Sequence, residues 1–313
     1  MRYSRFVVVV LLLAFIPVPT AASARTRLVL KSARPASTYY AMSVGVARAI
    51  RAGAPGLDLT VESSPGSMVN LKTALRRDQY LFTCPPVLVR SARAGEGEFT
   101  ESGYGRIRAL WPLPGLVMHW AVTEDSGIDD LRGLAGRRFI PGGAGSAGAK
   151  FTVQVFEALG LTDQVELVHL DLSEAVRAVK NRRAVGLATS SSPPASIIEE
   201  LAAARGLRLL SLDEEDYRRI PERFDRYVIP AGLYPGVDHP VPTITLKVAL
   251  YTTADLPEDV AYDLTRAFWE NRSIWETAHP AMKLLDPKGL DALGAPLHPG
   301  ALRYYRQAGL WAE

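Results

Sequence analysis

Short apolar, β-branched runs alternate with stretches of helical periodicity along most of the chain. The runs "RLVL" (27–30), "LDLTVESS" (57–64) and "YLFTC" (80–84) predict strands, with helices over 39–51 and 67–77 between them. "IRALWPL" and "LVMHWAV" predict two further strands. Strand "GRRFI" then leads through a glycine loop to a helix over 149–159. Strand "VELVHL", a helix over 173–181, strand "VGLATS", a helix over 194–204 and strand "LRLLSL" follow. Such alternation implies an α/β protein with a mainly parallel sheet and helices on both faces. Residues 220–241 break the rhythm with a Pro- and Gly-rich segment too long for an ordinary connection, as expected of a functional loop or a crossing between lobes. Strand "TITLKVALYTT" and a helix from Leu256 resume it. Pro257 suits the first turn of that helix, and Glu258 and Asp259 suit its positive end.

The N-terminus changes the picture. Arg2 and Arg5 precede "FVVVVLLLAFIP", and Ala22-Ser23-Ala24 supplies the small residues of a cleavage site. This pattern predicts a secretory signal over residues 1–24, hence export, with an uncleaved anchor as the alternative. Without Arg2 and Arg5, the 36 basic and 33 acidic side chains nearly balance. No basic stripe with interleaved aromatics argues for nucleic acid. The single cysteine, Cys84, cannot close an internal disulfide, so burial must supply the stability. The five histidines are scattered without a second ligand at helical spacing, and no metal site is indicated.

Candidate chemistry centres on "PGGAGSAGAK" (141–150). Gly143, Gly145 and Gly148 spell the dinucleotide pattern G-x-G-x-x-G between a strand and a helix. Several strand–helix units precede the loop, however, and only Asp171 stands near the place of a ribose-binding acid. A P-loop fails at Ala149 and Phe151, and a nucleophile elbow fails at Ala144. What all these motifs share is a tight turn whose helix N-terminus presents unpaired N–H groups to an anion, with Ser146 adding a hydroxyl. A second such turn, "SSPGSMVNL" (63–71), offers Ser67 as N-cap and Asn70 three residues on. Tyr39 and Tyr40 open the first helix, at the strand end where crevices of α/β sheets lie. Arg34 and Lys150 are the cations placed to add a charge-assisted contact, with plain surface positions as the alternative. The chemistry of holding is present and that of turnover is missing.

With these residues in view, the chain resembles the TAXI subfamily of solute-binding proteins, the exported receptors of tripartite ATP-independent periplasmic (TRAP) transporters. The segments that carry the resemblance, in order, are "STYYAMSVGVARAI", "SPGSMVNLKTALRR", "DDLRGLAGRRFIPGGAGSAG", "PAGLYPGVDHPVPTITLKVALYTTADLPEDVAYDLTRAFWEN" and "HPGALRYYRQAGL". The resemblance implies a two-lobed type II periplasmic-binding-protein fold. Lobe 1 would comprise residues 25–122 plus 247–313 and lobe 2 residues 123–246, with the ligand in the cleft between them. It also implies a small organic anion as ligand, delivered to membrane permease subunits without a cofactor. Tyr39, Tyr40, Ser67, Asn70, Cys84, Gly145, Ser146 and Tyr234 would form the site.

Three departures bear on the ligand. "SARPAS" replaces the family's glycines before the first helix, and Gly145-Ser146-Ala147-Gly148 lacks a threonine hydroxyl. "YLFTCPP" stands where polar side chains are usual. A less polar wall favours a ligand with an apolar part, so glutamate is not expected to be the best ligand. Two rivals stay open: a ligand-sensing subunit of a membrane sensor, and an exported α/β enzyme that uses the glycine loop.

Overall fold

The parallel strand–helix units gather at the two ends of one sheet, and two long antiparallel strands run between them. The computed structural model describes residues 25–78 and 80–311. In chain order the elements begin with β1 (Thr26–Lys31), α1 (Thr38–Gly53), β2 (Leu57–Glu62), α2 (Ser67–Thr73), β3 (Tyr80–Cys84), α3 (Pro86–Ala94) and β4 (Ile107–Val122). Next come β5 (Arg138–Ile140), α4 (Ala147–Leu159), β6 (Glu166–Leu167), α5 (Leu172–Lys180), β7 (Gly186–Ser191) and α6 (Ser196–Arg205). They are followed by β8 (Arg208–Leu210), α7 (Glu214–Arg219), β9 (Asp225–Ile229), β10 (Val241–Thr253), α8 (Glu258–Glu270), α9 (Arg272–Trp275) and α10 (Pro299–Gln307).

The sheet runs β2-β1-β3-β10-β4-β7-β5-β6, with β8 added to β4 and β9 to β10. β1 pairs in parallel with β2 and β3, and β5 with β6 and β7. The middle is antiparallel: β10 against β3, β4 and β9, and β4 against β7 and β8. The α/β expectation holds, in a mixed sheet with helices on its faces. The fold is two-lobed, with parallel strands at the heart of each lobe and β4 and β10 shared by both.

Local sequence explains the elements. In α1, Tyr39, Met42, Val46 and Ile50 fall at three- and four-residue spacing and are buried. That face meets α8 and α9. All five residues of β3 are buried, as befits a strand covered on both faces. Trp111 of β4 stacks on Phe268 at 4.5 Å between centroids, and Phe268 stacks on Trp275 at 5.0 Å. These rings fill the first lobe's core. In the second lobe, Val176 and Val179 of α5 pack with Ile198 and Leu201 of α6 and with Leu187 and Ile140 of the sheet.

Four expectations change. The two strands around residue 114 are one 16-residue strand, β4. Pro112 and Pro114 remove donors without ending the extended backbone, and Pro112 still sits opposite Ala249 of β10. The segment 220–241 is not wholly loop, because β9 pairs with the start of β10 from Asp225↔Thr245 to Ile229↔Val241. The helix expected over 67–77 stops at Thr73. The strand expected over 165–170 is regular only at Glu166–Leu167, with an isolated bridge from Leu170 to Gly143. The secretory signal lies outside the described residues. Among those described, no helix is long and apolar enough to cross a membrane.

Candidate functional site

The carboxyl ends of the parallel strands from both lobes point at one narrow cleft. From the first lobe come Ser32, Ala33, Arg34 and Ser37 after β1, Pro65, Gly66 and Ser67 after β2, and Thr83 of β3. Gly143, Ser146 and Ala147 after β5, Leu172 of α5, and Thr189 and Ser190 of β7 face them. Leu116 of β4 and Val248 of β10 complete the wall where the shared strands pass. This is the crevice position that an open α/β sheet dictates.

Helix starts surround the cleft. Ser37 caps α1, accepting from the Tyr39 N–H at 3.3 Å. Ser146 caps α4, accepting from the Ala149 N–H at 3.1 Å. α5 begins at Leu172, with Asp171 at its cap position but making no side-chain cap bond. Short α2 begins beside them at Ser67. Helix N-termini leave N–H groups unpaired and carry partial positive charge, so the cleft favours an anion. Arg34 adds a full charge and is the one charged residue in the lining among the described residues. It pairs with Asp171 from across the cleft, while its Nε is buried with no hydrogen-bond partner. The hydroxyls of Ser67, Thr189 and Ser190 line the space too and make no hydrogen bond to any described residue.

Of the residues singled out from the sequence, the cleft receives Tyr39, Ser67 and Ser146. The Tyr39 hydroxyl donates to the Pro114 carbonyl, and Ser192 Oγ donates to Tyr39 at 3.5 Å. Burial pushes its pKa well above the usual phenol range. Ser67 is not an N-cap: Gly66 holds that position, and Ser67 is the first helical residue. Gly145 lies next to the lining, between Pro65 and Val69, and faces an outer groove shared with Lys150.

The other four stand behind the wall. Tyr40 is half-buried on α1 outside the lining. Asn70 is fully buried, and its amide donates to the carbonyls of Ser32 at 2.7 Å and Thr83 at 3.2 Å. It therefore ties the ends of β1 and β3 together. Cys84 is buried opposite Ala249, and desolvation raises its thiol pKa. Tyr234 is buried, accepting from the Ala195 N–H at 2.8 Å and bonding His119 Nε2 at 2.9 Å. It braces the loop after β7. Sequence reasoning missed Thr83, Thr189 and Ser190, although "LFTC" and "LATSS" place hydroxyls at strand ends where the crevice rule would have found them.

The glycine pattern has a packing explanation. A Cβ on Gly148 would come within 2.7 Å of Ser190 Oγ and 3.0 Å of its backbone nitrogen, so this glycine lets α4 sit against β7. Across the cleft, Gly66 (φ +142°) lies so near the opposite lobe that its Cβ would meet Ser146 Cα at 2.7 Å. The lobes also touch through Thr38 and Ser191, whose hydroxyls share a hydrogen bond, and through His279 Nε2, which donates to the Pro194 carbonyl at 3.0 Å. Lys150 reaches Glu98 at 2.9 Å, and Lys72 joins the same carboxylate at 2.7 Å. The two sides of the cleft are thus in contact.

Residues 31–309 match the NMT1-like family. In fold the chain is similar to MatC from Rhodopseudomonas palustris, solved with bound malate, at 13% identity and TM-score 0.59 over 91% of this chain and 96% of that one. It is similar also to the periplasmic binding protein BugD, at 11% identity and TM-score 0.57 over 91% and 94% of the two chains. At such identities the likeness is one of fold.

Proposed function

The chain belongs to the NMT1-like family, and from that premise we propose that it is an exported, periplasmic solute receptor that closes on a small carboxylate. The observation that carries this reading is the cleft itself: helix N-termini and Arg34 surround a space that both lobes enclose. Holding fits better than turnover. The Ser146 hydroxyl is engaged as a helix cap, and no histidine lines the cleft among the described residues. The resemblance of its motifs to the TAXI subfamily supports delivery of the solute to a TRAP-type permease. Lobe 1 is assigned to residues 25–122 plus 247–313 and lobe 2 to 123–246. The register shift of β10 between Leu246 and Val248 supports the second limit, whereas the exchange of β4's pairing from β10 to β7 favours a first limit nearer Val117. The ligand favours the closed state because it touches both lobes at once.

The test is calorimetric titration of the chain from Arg25 onward, unfolded and refolded to strip any retained solute. Carboxylates and NAD form the panel. Saturable one-to-one binding of a carboxylate is expected, accompanied by a rise in melting temperature and no chemical change of the ligand. Binding of NAD with no carboxylate bound would overturn the reading, as would turnover.

A further inference from the structure

We propose that the cleft selects a monocarboxylate without an ammonium group, such as a short 2-oxo or 2-hydroxy acid with an apolar tail, and that Asp171 positions Arg34 for this choice. The inference rests on the receptor reading above and narrows its substrate class.

Charge carries the first half. One cation, Arg34, is the whole complement of ionised groups in the lining among the described residues. Its Nη2 is already engaged by Asp171, which leaves the rest of the part-exposed guanidinium for a ligand oxygen. One carboxylate satisfies that arrangement. A second carboxylate would find only neutral hydroxyls, those of Ser67, Thr189 and Ser190, and it would bury a charge without a counter-charge. Asp171 adds repulsion, since its own carboxylate stands beside Arg34. An α-ammonium fares no better. It would sit next to the bound carboxylate, close to Arg34 and among the positive ends of α1, α4 and α5.

Shape and polarity carry the second half. Leu116, Leu172, Val248 and Pro65 line the same space and offer a dry seat for a hydrocarbon tail. The free hydroxyls can donate to a 2-oxo oxygen, or donate to and accept from a 2-hydroxyl, a match that neutral groups make without a charge penalty. Asp171 does not touch the ligand in this account. It fixes the guanidinium from the opposite lobe, so that Arg34 presents its free edge only when the cleft is closed.

The experiment compares three ligands of similar size by calorimetry on the refolded chain: 4-methyl-2-oxopentanoate, 2-oxoglutarate and leucine. The oxo monocarboxylate should bind at least tenfold more tightly than either of the others. The Asp171→Asn variant is then titrated with the same set. Asp171 is part-exposed and makes no cap bond, so the variant should melt within a few degrees of the parent. In it the preference for monocarboxylate over dicarboxylate should fall at least fivefold, and affinity for the monocarboxylate itself should change less. Equal weakening of all three ligands would leave Asp171 as a support for Arg34 alone and would overturn its part in the selectivity. Tightest binding of 2-oxoglutarate or leucine by the parent protein would overturn the selectivity while leaving the receptor reading intact. Binding of none of these acids, nor of any other carboxylate, would bring down both.

Discussion

Arg34 and His119 show how differently two polar side chains can serve the same cleft. Arg34 is part-exposed, and an ion pair of that kind adds little to stability. Toward a bound carboxylate, in contrast, it would offer a charge-assisted hydrogen bond in a closed space, worth about 2 kcal/mol. Arg34→Gln should therefore weaken carboxylate binding about 30-fold and move the melting temperature only slightly; calorimetry and a thermal melt read the two effects separately. His119 works from behind. Its Nδ1 donates to the Val117 carbonyl at 3.0 Å, so Nε2 accepts from the Tyr234 hydroxyl, which in turn accepts from the Ala195 N–H. This chain of bonds needs a neutral imidazole, and burial lowers the His119 pKa from 6.5 to about 4. The unfolded chain consequently binds more protons between those two values. Stability should fall as pH drops through this window, by roughly 3 kcal/mol in all, and should be untouched by this group above it. Urea midpoints at pH 7 and pH 5 test the point: His119→Gln should lose less stability on acidification than the parent, and equal losses would exclude His119 as the source.

At the scale of elements, the glycine loop was legible as a tight turn between a strand and a helix because strand, glycines and helix are contiguous in the chain. Its partner turn at Gly66 was legible for the same reason, but the cap there is Gly66 and not Ser67. No local pattern reveals that Gly66 must pass within contact distance of Ser146, some eighty positions on. Gly66→Ala tests that approach. Its Cβ would collide with Ser146, and its positive φ would be strained at a cost of about 1–3 kcal/mol. Carboxylate affinity should drop more than tenfold, because full closure is blocked; unchanged affinity would mean the lobes can bind without meeting here. Other elements were hidden by chemistry that tertiary pairing overrides. Residues 107–113 and 116–122 read as two strands, yet β10 carries β4 straight past Pro112 and Pro114 as one. Residues 225–229 read as part of a loop because prolines and charges flank them, yet β10 gives them a partner. Asn70 and Tyr234 were visible as polar residues of interest, but only long-range hydrogen bonds show that they brace the wall from behind.

For the whole molecule, alternation of strands and helices was enough to indicate an α/β sheet, whereas the antiparallel middle depends on a return crossing that only the tertiary structure displays. Closure itself has an electrostatic component. Glu98 is shared by Lys72 from its own side and Lys150 from the other, and the two lysines, Lys72 foremost, hold its carboxyl below the usual range. Glu98→Gln should let the ligand-free protein open further, seen as a larger radius of gyration by X-ray scattering, with saturating carboxylate restoring the compact value. High salt should mimic the substitution, because the pairs are exposed to screening. β4 and β10 have a mechanical corollary as well. A lobe that swings on two loose loops can tilt and twist in any direction, but two hydrogen-bonded strands form a leaf spring that flexes easily about one axis alone. In such a spring the outer skin stretches as the inner skin shortens. A pair of probes on the rim of the cleft and a pair on the back of the ribbon should therefore report ligand capture with opposite signs.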